Sequence, residues 1–227
     1  MTGKEGKRNA KLDEKLLVVA QRGQPKRLKK VLSEGANPDA REPVEQYTAL
    51  HITAAAARLK CSTVLIEGGA DVNARSKTGH TPLHMAVGHN HHKMTKRLLK
   101  HGADPMLCTD NDETLCHLAA VTDARMMKLL LRKGVPFDKV DKLGRTPLSI
   151  AVEAENTDVM QVLLKKGADP NGKSKDKHGP LHIAALNGSM EAVQALLEAG
   201  ADKNQRNAVG KSPRDLSYDN MLTQALS

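Results

Sequence analysis

Six segments of this chain open alike at a nearly constant interval. Thr48-Ala49-Leu50-His51, Thr81-Pro82-Leu83-His84, Thr114-Leu115-Cys116-His117, Thr146-Pro147-Leu148-Ser149, Gly179-Pro180-Leu181-His182 and Ser212-Pro213-Arg214-Asp215 start 33, 33, 32, 33 and 33 residues apart. The first five are followed by Thr53-Ala54, Ala86-Val87, Ala119-Ala120, Ala151-Val152 and Ala184-Ala185. Leucine-rich pairs come next, at Leu65-Ile66, Leu98-Leu99, Leu130-Leu131, Leu163-Leu164 and Leu196-Leu197. Each block then closes on a glycine: Gly69, Gly102, Gly134, Gly167 or Gly200. A period of this length signals stacked supersecondary units, because one copy cannot bury its apolar side alone.

Each element of the repeat has a local reason. Thr opens a first helix as its cap, and Pro follows where a missing N–H costs nothing. Small residues at Ala119-Ala120 and Ala184-Ala185 let neighbouring helices approach closely. The Leu pairs give a second helix its buried stripe. The closing glycine supplies a left-handed residue that ends that helix. Polar segments such as Asp141-Lys142-Leu143-Gly144 then turn the chain sideways into a finger.

The run GADVNA at 69–74 and the run DKLGRTPL at 141–148 resemble the ankyrin repeat family. The resemblance covers about residues 12 to 218. It implies an all-α repeat solenoid, in which paired antiparallel helices carry β-hairpin fingers. On this frame residues 1–11 form a disordered basic tail, and 12–227 form a single ankyrin repeat domain. That domain divides into an N-terminal cap unit at 12–40, five full repeats at about 41–206 and a C-terminal cap unit at 207–227. The seven-unit layout is similar to proteasome-assembly members of the family, in length and architecture only. Three irregularities stand out: an extra residue in the finger between Gly35 and Thr48, a missing one near Val121-Thr122-Asp123, and Gly179 in place of a capping Thr.

The composition suits such a stack. Trp is absent, Phe occurs once and Tyr twice, so Leu, Ala, Val and Met must fill the interior. No apolar run approaches the roughly 20 residues that cross a bilayer. The polar start Met1-Thr2-Gly3-Lys4 lacks the apolar stretch of a secretory signal. Three cysteines, Cys61, Cys108 and Cys116, show no CxxC spacing and point to a reducing compartment. The expectation is a cytoplasmic protein, with the nucleus as the alternative, acting as a monomer.

Several motifs look like chemistry and are better read as frame. Residues 167–174, GADPNGKS, satisfy the phosphate-loop pattern letter for letter. Such a loop needs a strand before it and a helix opening at Lys-Ser. Here a helical pattern precedes it and a finger follows. The histidines at 80, 84, 89, 91, 92 and 101 resemble a metal cluster. Yet His84, with His51, His117 and His182, occupies the fixed fourth position of the TPLH segment, where the family's imidazole bonds backbone between adjacent units. No carboxylate or thiol completes a tetrahedral set at metal-ligand spacing. No GxSxG or HExxH segment is present. The reading is therefore no enzyme, no cofactor and no metal. Asn73 resembles the acceptor context of asparaginyl hydroxylation in ankyrin proteins, although its amide also suits a purely structural role in the finger.

The charge of +9 is concentrated on the second helices, as in Lys93, Lys96, Arg97 and Lys100. A solvated face explains it, and nucleic acid is disfavoured because no aromatics interleave the bases. The family resemblance implies protein binding on the concave face made by fingers and first helices. The frame places Tyr47, Lys77, His80, His89, Glu113, Lys142, Leu143, Arg145, Glu153, Lys175 and His178 there. Tyr and Arg often dominate interface energy, so Tyr47 and Arg145 are the foremost anchors. The mixed charge suits a protein partner presenting an acidic or polar segment. Other roles within the same class are a proteasome-assembly chaperone or a secreted bacterial effector.

Overall fold

A computed structural model describes the backbone of residues 3–226 and the side chains from residue 9 onward. Two compact units emerge, one running to Asp110 and the other from Asn111.

The first unit contains α1 (Gly3–Arg22), α2 (Pro25–Ser33), α3 (Ala49–Ala55), α4 (Leu59–Glu67), α5 (Pro82–Gly88) and α6 (His92–Lys100). Helices α1, α3 and α5 pack side by side as an inner row, and α2 packs on α4 in an outer one. The second unit contains α7 (Leu115–Ala119), α8 (Ala124–Arg132), α9 (Pro147–Glu153), α10 (Thr157–Lys165), α11 (Pro180–Asn187), α12 (Met190–Glu198), α13 (Pro213–Leu216) and α14 (Asn220–Ala225). Its inner row is α7, α9, α11 and α13, and its outer row α8, α10, α12 and α14. Leu50, Leu65, Leu83 and Leu98 are buried between the rows of the first unit, and Leu115, Leu130, Leu148 and Leu163 between those of the second.

Helix α1 corrects the reading of residues 1–11 as a disordered tail. Burial of Leu16, Val19 and Ala20 anchors the helix. Once nucleated, it extends cheaply toward the N-terminus through Ala, Lys, Arg and Glu, which are good helix formers. Residues 1 and 2 of that tail lie outside the described residues.

The fingers also differ from β-hairpins in the strict sense. Among the described residues no strand ladder forms, and only an isolated antiparallel bridge joins Arg41 to Thr48. Each finger is too short for more. It is closed at its root by one backbone bond, as from Ser76 N to the His80 carbonyl (2.8 Å), Asp141 N to Arg145 (3.0 Å) and Ser174 N to His178 (3.0 Å). One more bond joins its tip to the finger before, as from Lys77 N to Glu45 (2.8 Å) or Lys175 N to Leu143 (3.0 Å).

The missing residue near 121–123 shortens α7 to 5 residues, against 7 in α9. Asp123 then caps α8 by accepting from Met126 N at 2.8 Å. Gly179 has its own reason. It is buried, and a Cβ there would meet the Gln205 side-chain oxygen, so a capping Thr would have to displace that amide, which donates to the Asn171 carbonyl.

Candidate functional site

The repeated His is held at Nδ1 in each copy, and at Nε2 as well in three of the four. Main-chain N–H groups of Thr48, Thr81 and Thr114 donate to Nδ1 of His51, His84 and His117 at 3.2, 3.1 and 3.0 Å. The proton of each ring therefore sits on Nε2. His51 donates it to the His80 carbonyl (2.9 Å), His117 to that of Arg145 (3.0 Å) and His182 to that of Lys211 (3.1 Å). The first helices bearing His51, His117 and His182 are thereby bolted to the root of the following finger, whereas His84 Nε2 is buried without a hydrogen-bond partner among the described residues. Burial pushes His51 down to about 4 and His84 to about 3, and it lowers His117 and His182 in the same sense.

Ser149 breaks this series. Its hydroxyl donates to the Thr146 carbonyl at 2.8 Å and accepts from Thr146 N at 2.9 Å. Its one proton is spent locally, and its small volume leaves room where an imidazole would stand. At this place a cleft of about 550 Å³ opens between two fingers of the second unit and helices α9 and α11. Leu143, Ile183 and Leu186 supply apolar surface, and Arg145, Glu153, Lys175, Asp176, His178 and Asn187 supply polar surface.

Five residues expected on the recognition face meet here: Leu143, Arg145, Glu153, Lys175 and His178. Lys142 is exposed at the same finger tip but does not line the cleft, and its N–H donates to the Asn111 carbonyl at 2.9 Å. Glu113 is half-buried at the start of the second unit. Ser149 and Ile183 were not anticipated. The signal for Ser149 was visible, because TPLS departs from TPLH at that position alone among the Pro-bearing copies that keep Thr.

Arg145 is less free than a typical interface anchor. Its Nε and its terminal nitrogen each reach Asp141 Oδ2 at 2.8 Å, and the other terminal nitrogen stands 4.0 Å from Glu153. The Asp141 side chain is only 2% exposed. Burial pushes its carboxyl up, but hydrogen bonds from Arg145, the adjacent guanidinium charge and the Leu143 amide outweigh burial and hold it below the ordinary value. Arg145 thus braces the finger and presents only part of its guanidinium. His178 is similarly braced. Asn207 turns its oxygen to the N–H groups of Val209 and Lys211, so its amide nitrogen donates to His178 Nε2 at 3.1 Å.

The remaining expected residues lie in the first unit. Tyr47 is half-buried with its ring 5.5 Å from that of His51, and Lys77 is exposed at a finger tip. His80 meets Thr78 Oγ1 through Nδ1 at 2.9 Å, and His89 meets the Met85 carbonyl at 2.9 Å. Asn73 donates to the Gly102 carbonyl (3.3 Å) and accepts from Asp104 N (2.8 Å), tying its finger to the next layer. Asn171 repeats the arrangement with Gly200 (3.1 Å) and Asp202 (2.8 Å).

The phosphate-loop pattern folds as frame. α10 ends before it, Ser174 N is committed to His178, and the next helix opens only at Pro180. Among the described residues no group of three or more His, Cys, Asp or Glu is arranged to hold a metal ion. No helix there is long and apolar enough to cross a membrane.

Capped helix pairs stacked in layers, with fingers linked tip to tip, define a helical-repeat interaction module. The chain belongs to the ankyrin repeat family: a model of ankyrin repeats in three copies matches residues 16–109 and again 115–207. The ankyrin repeat domain of human ASB11 superposes with a TM-score of 0.82 at 30% identity, over 93% of this chain and 95% of that one. The ankyrin repeat domain of Bcl-3, a member of the IkappaB family, gives 0.79 at 26% identity, over 93% and 96%. Among sequence relatives, the chicken nuclear factor NF-kappa-B p105 subunit is 35% identical over 114 residues, 48% of this chain and 12% of its own length. A potassium channel of Arabidopsis thaliana, AKT2/3, is 29% identical over 147 residues, 63% of this chain and 18% of its own. The chain therefore spans only a small part of the length of these relatives.

Proposed function

We propose that this chain is a non-enzymatic scaffold that holds a partner protein at the cleft of the second unit. The partner offers a polar, acidic segment that seats one apolar side chain between Leu143, Ile183 and Leu186. Its carboxylates face Lys175 and the exposed part of Arg145. The observation carrying this reading is the exposed apolar surface at the cleft, where Leu143 is 57% and Leu186 44% exposed. Apolar centres ringed by polar groups are the usual anatomy of a binding patch, and burying such side chains supplies most of the energy. Arg145, Glu153 and His178 are held by neighbours, which lowers the entropy lost on binding. A reducing compartment, cytoplasm or nucleus, suits the three free cysteines.

The test compares proteins captured from cell extract by the wild type and by Leu143→Asp with Leu186→Asp, two exposed positions. A partner lost with the double variant and kept by Val140→Asp, exposed outside the cleft, supports the reading. Identical captured sets from all three proteins would overturn it.

A further inference from the structure

The outer surface of the first unit carries a second feature, independent of the cleft between the fingers. Along α6 and its C-cap stand Lys93, Lys96, Arg97, Lys100 and His101. These positions are three, one, three and one residues apart, so all five fall on one stripe of the helix. With Leu59 of α4 they wall a groove of about 400 Å³. Arg97 donates across it to Thr63 Oγ1 of α4, which fixes the guanidinium in place. Lys93, Lys96 and Lys100 are exposed, and no ion pair reaches them among the described residues.

The helix dipole explains only half of this stripe. Arg97 and Lys100 lie in the last turn, where a cation is favoured. Lys93 lies in the first turn behind His91 and His92, at the positive end of the dipole, where a cation is disfavoured. Like charges three or four residues apart destabilise the helix further, and α6 contains no acidic residue to relieve them. An amphipathic outer helix confines its polar residues to such a stripe, so what singles this one out is that it is wholly basic and unrelieved by any acid on α6. An anion in the groove would offset the repulsion and the misplaced dipole together.

We infer that this groove binds a compact polyanion bearing several phosphates on one small ring, of the inositol polyphosphate type, either free or as a lipid headgroup. The stripe from Lys93 to His101 is about 12 Å long at 1.5 Å per residue, a match for a small ring. Three lysines on flexible stems adapt to phosphates at different angles, and the docked Arg97 offers a rigid fork. Nucleic acid fits less well, because the groove offers Leu59 and no Phe, Tyr or Trp side chain on which successive bases could stack.

The probe is inositol hexakisphosphate, titrated calorimetrically into the full chain at near-physiological salt. The variant Lys93→Gln/Lys96→Gln/Lys100→Gln removes three exposed cations, and circular dichroism checks its helix content. Lys128→Gln/Arg132→Gln/Lys133→Gln removes three exposed cations elsewhere. Saturable binding, weakened at least about tenfold (about 1.4 kcal/mol) by the first variant and little by the second, is expected. No saturable binding, or equal weakening by both variants, overturns the inference. Co-sedimentation with phosphatidylcholine vesicles containing phosphatidylinositol 4,5-bisphosphate, dependent on the same lysines, assigns the headgroup as source. Binding of the soluble probe alone assigns the free form. Duplex RNA held by these lysines and not displaced by the probe also overturns it, in favour of nucleic acid.

Discussion

The imidazole of His117 donates from Nε2 to the main-chain carbonyl of Arg145 at 3.0 Å. One ring thus caps α7 through Nδ1 and holds the root of the next finger, the finger that bears Leu143 and Arg145 on the cleft. His117→Ala removes both bonds and leaves the buried Thr114 N–H unpartnered, while the Arg145 carbonyl keeps only its bond from Asp141 N. The expected cost is about 2–4 kcal/mol, at roughly 1–2 for each bond lost. Urea unfolding measures it, and an unchanged midpoint would refute the bolt.

Arg145 serves the fold before it serves a partner. Arg145→Ala strands the nearly buried Asp141 carboxylate. A stability loss of about 2 kcal/mol is expected, below the range for a fully buried pair because Arg145 is itself part-exposed. Asp141→Asn combined with Arg145→Ala should recover part of that loss. A double-mutant cycle with no coupling would contradict the pairing.

The buried histidines set an acid limit. His51 and His84 stand at about 4 and about 3, below their ordinary 6.5, chiefly through burial. Protonation would also force a hydrogen onto Nδ1, against the Thr N–H it accepts. The unfolded chain therefore binds protons first. The stability these residues contribute is full above the unfolded value, and it falls as pH drops from there toward their folded values. By pH 5 each accounts for a loss of about 2 kcal/mol. Denaturation midpoints should be flat from about neutral pH upward and should fall steadily below about 6.5. A flat midpoint down to about pH 5 would show that these rings are not held neutral.

Thiol chemistry separates the three cysteines. Cys116 is buried and pushed up to about 12, and burial also raises Cys61. Cys108 is only half-buried. Because the thiolate is the reactive form, iodoacetamide at neutral pH should modify Cys108 alone in the folded protein and all three in denaturant. Mass spectrometry of the alkylated peptides decides it, and rapid native labelling of Cys116 would contradict the packing of α7.

Gly144 tests the link between fingers. Its φ is +77°, and a Cβ there would lie 2.9 Å from Lys175 N, the atom that bonds Leu143. Gly144→Ala should cost about 1–2 kcal/mol through left-handed strain and crowding of that bond. Faster amide exchange at Lys175 is expected, and unchanged protection there would count against it.

The periodic features were legible because they are local. A Thr that caps, a Pro that follows it, an adjacent Leu pair and a closing glycine act within a few residues of themselves, so their spacing alone identifies the unit. Of the residues placed on one face from the repeat frame, Leu143, Arg145, Glu153, Lys175 and His178 line one cleft. The role of Arg145 was not legible, because its pairing with the buried Asp141 depends on how the finger folds back. Helix α1 was misread over residues 3–11, where charge suggested disorder and a packed anchor downstream sustains a helix instead.

From its own order of residues the chain fixes the repeat and the family, because these follow from the preferences of neighbouring residues. Tertiary structure alone decides where the stack is open. The cleft is walled by residues of two fingers and two helices, among them Ser149 where most other layers carry an imidazole, and such distant positions meet only once adjacent layers are stacked.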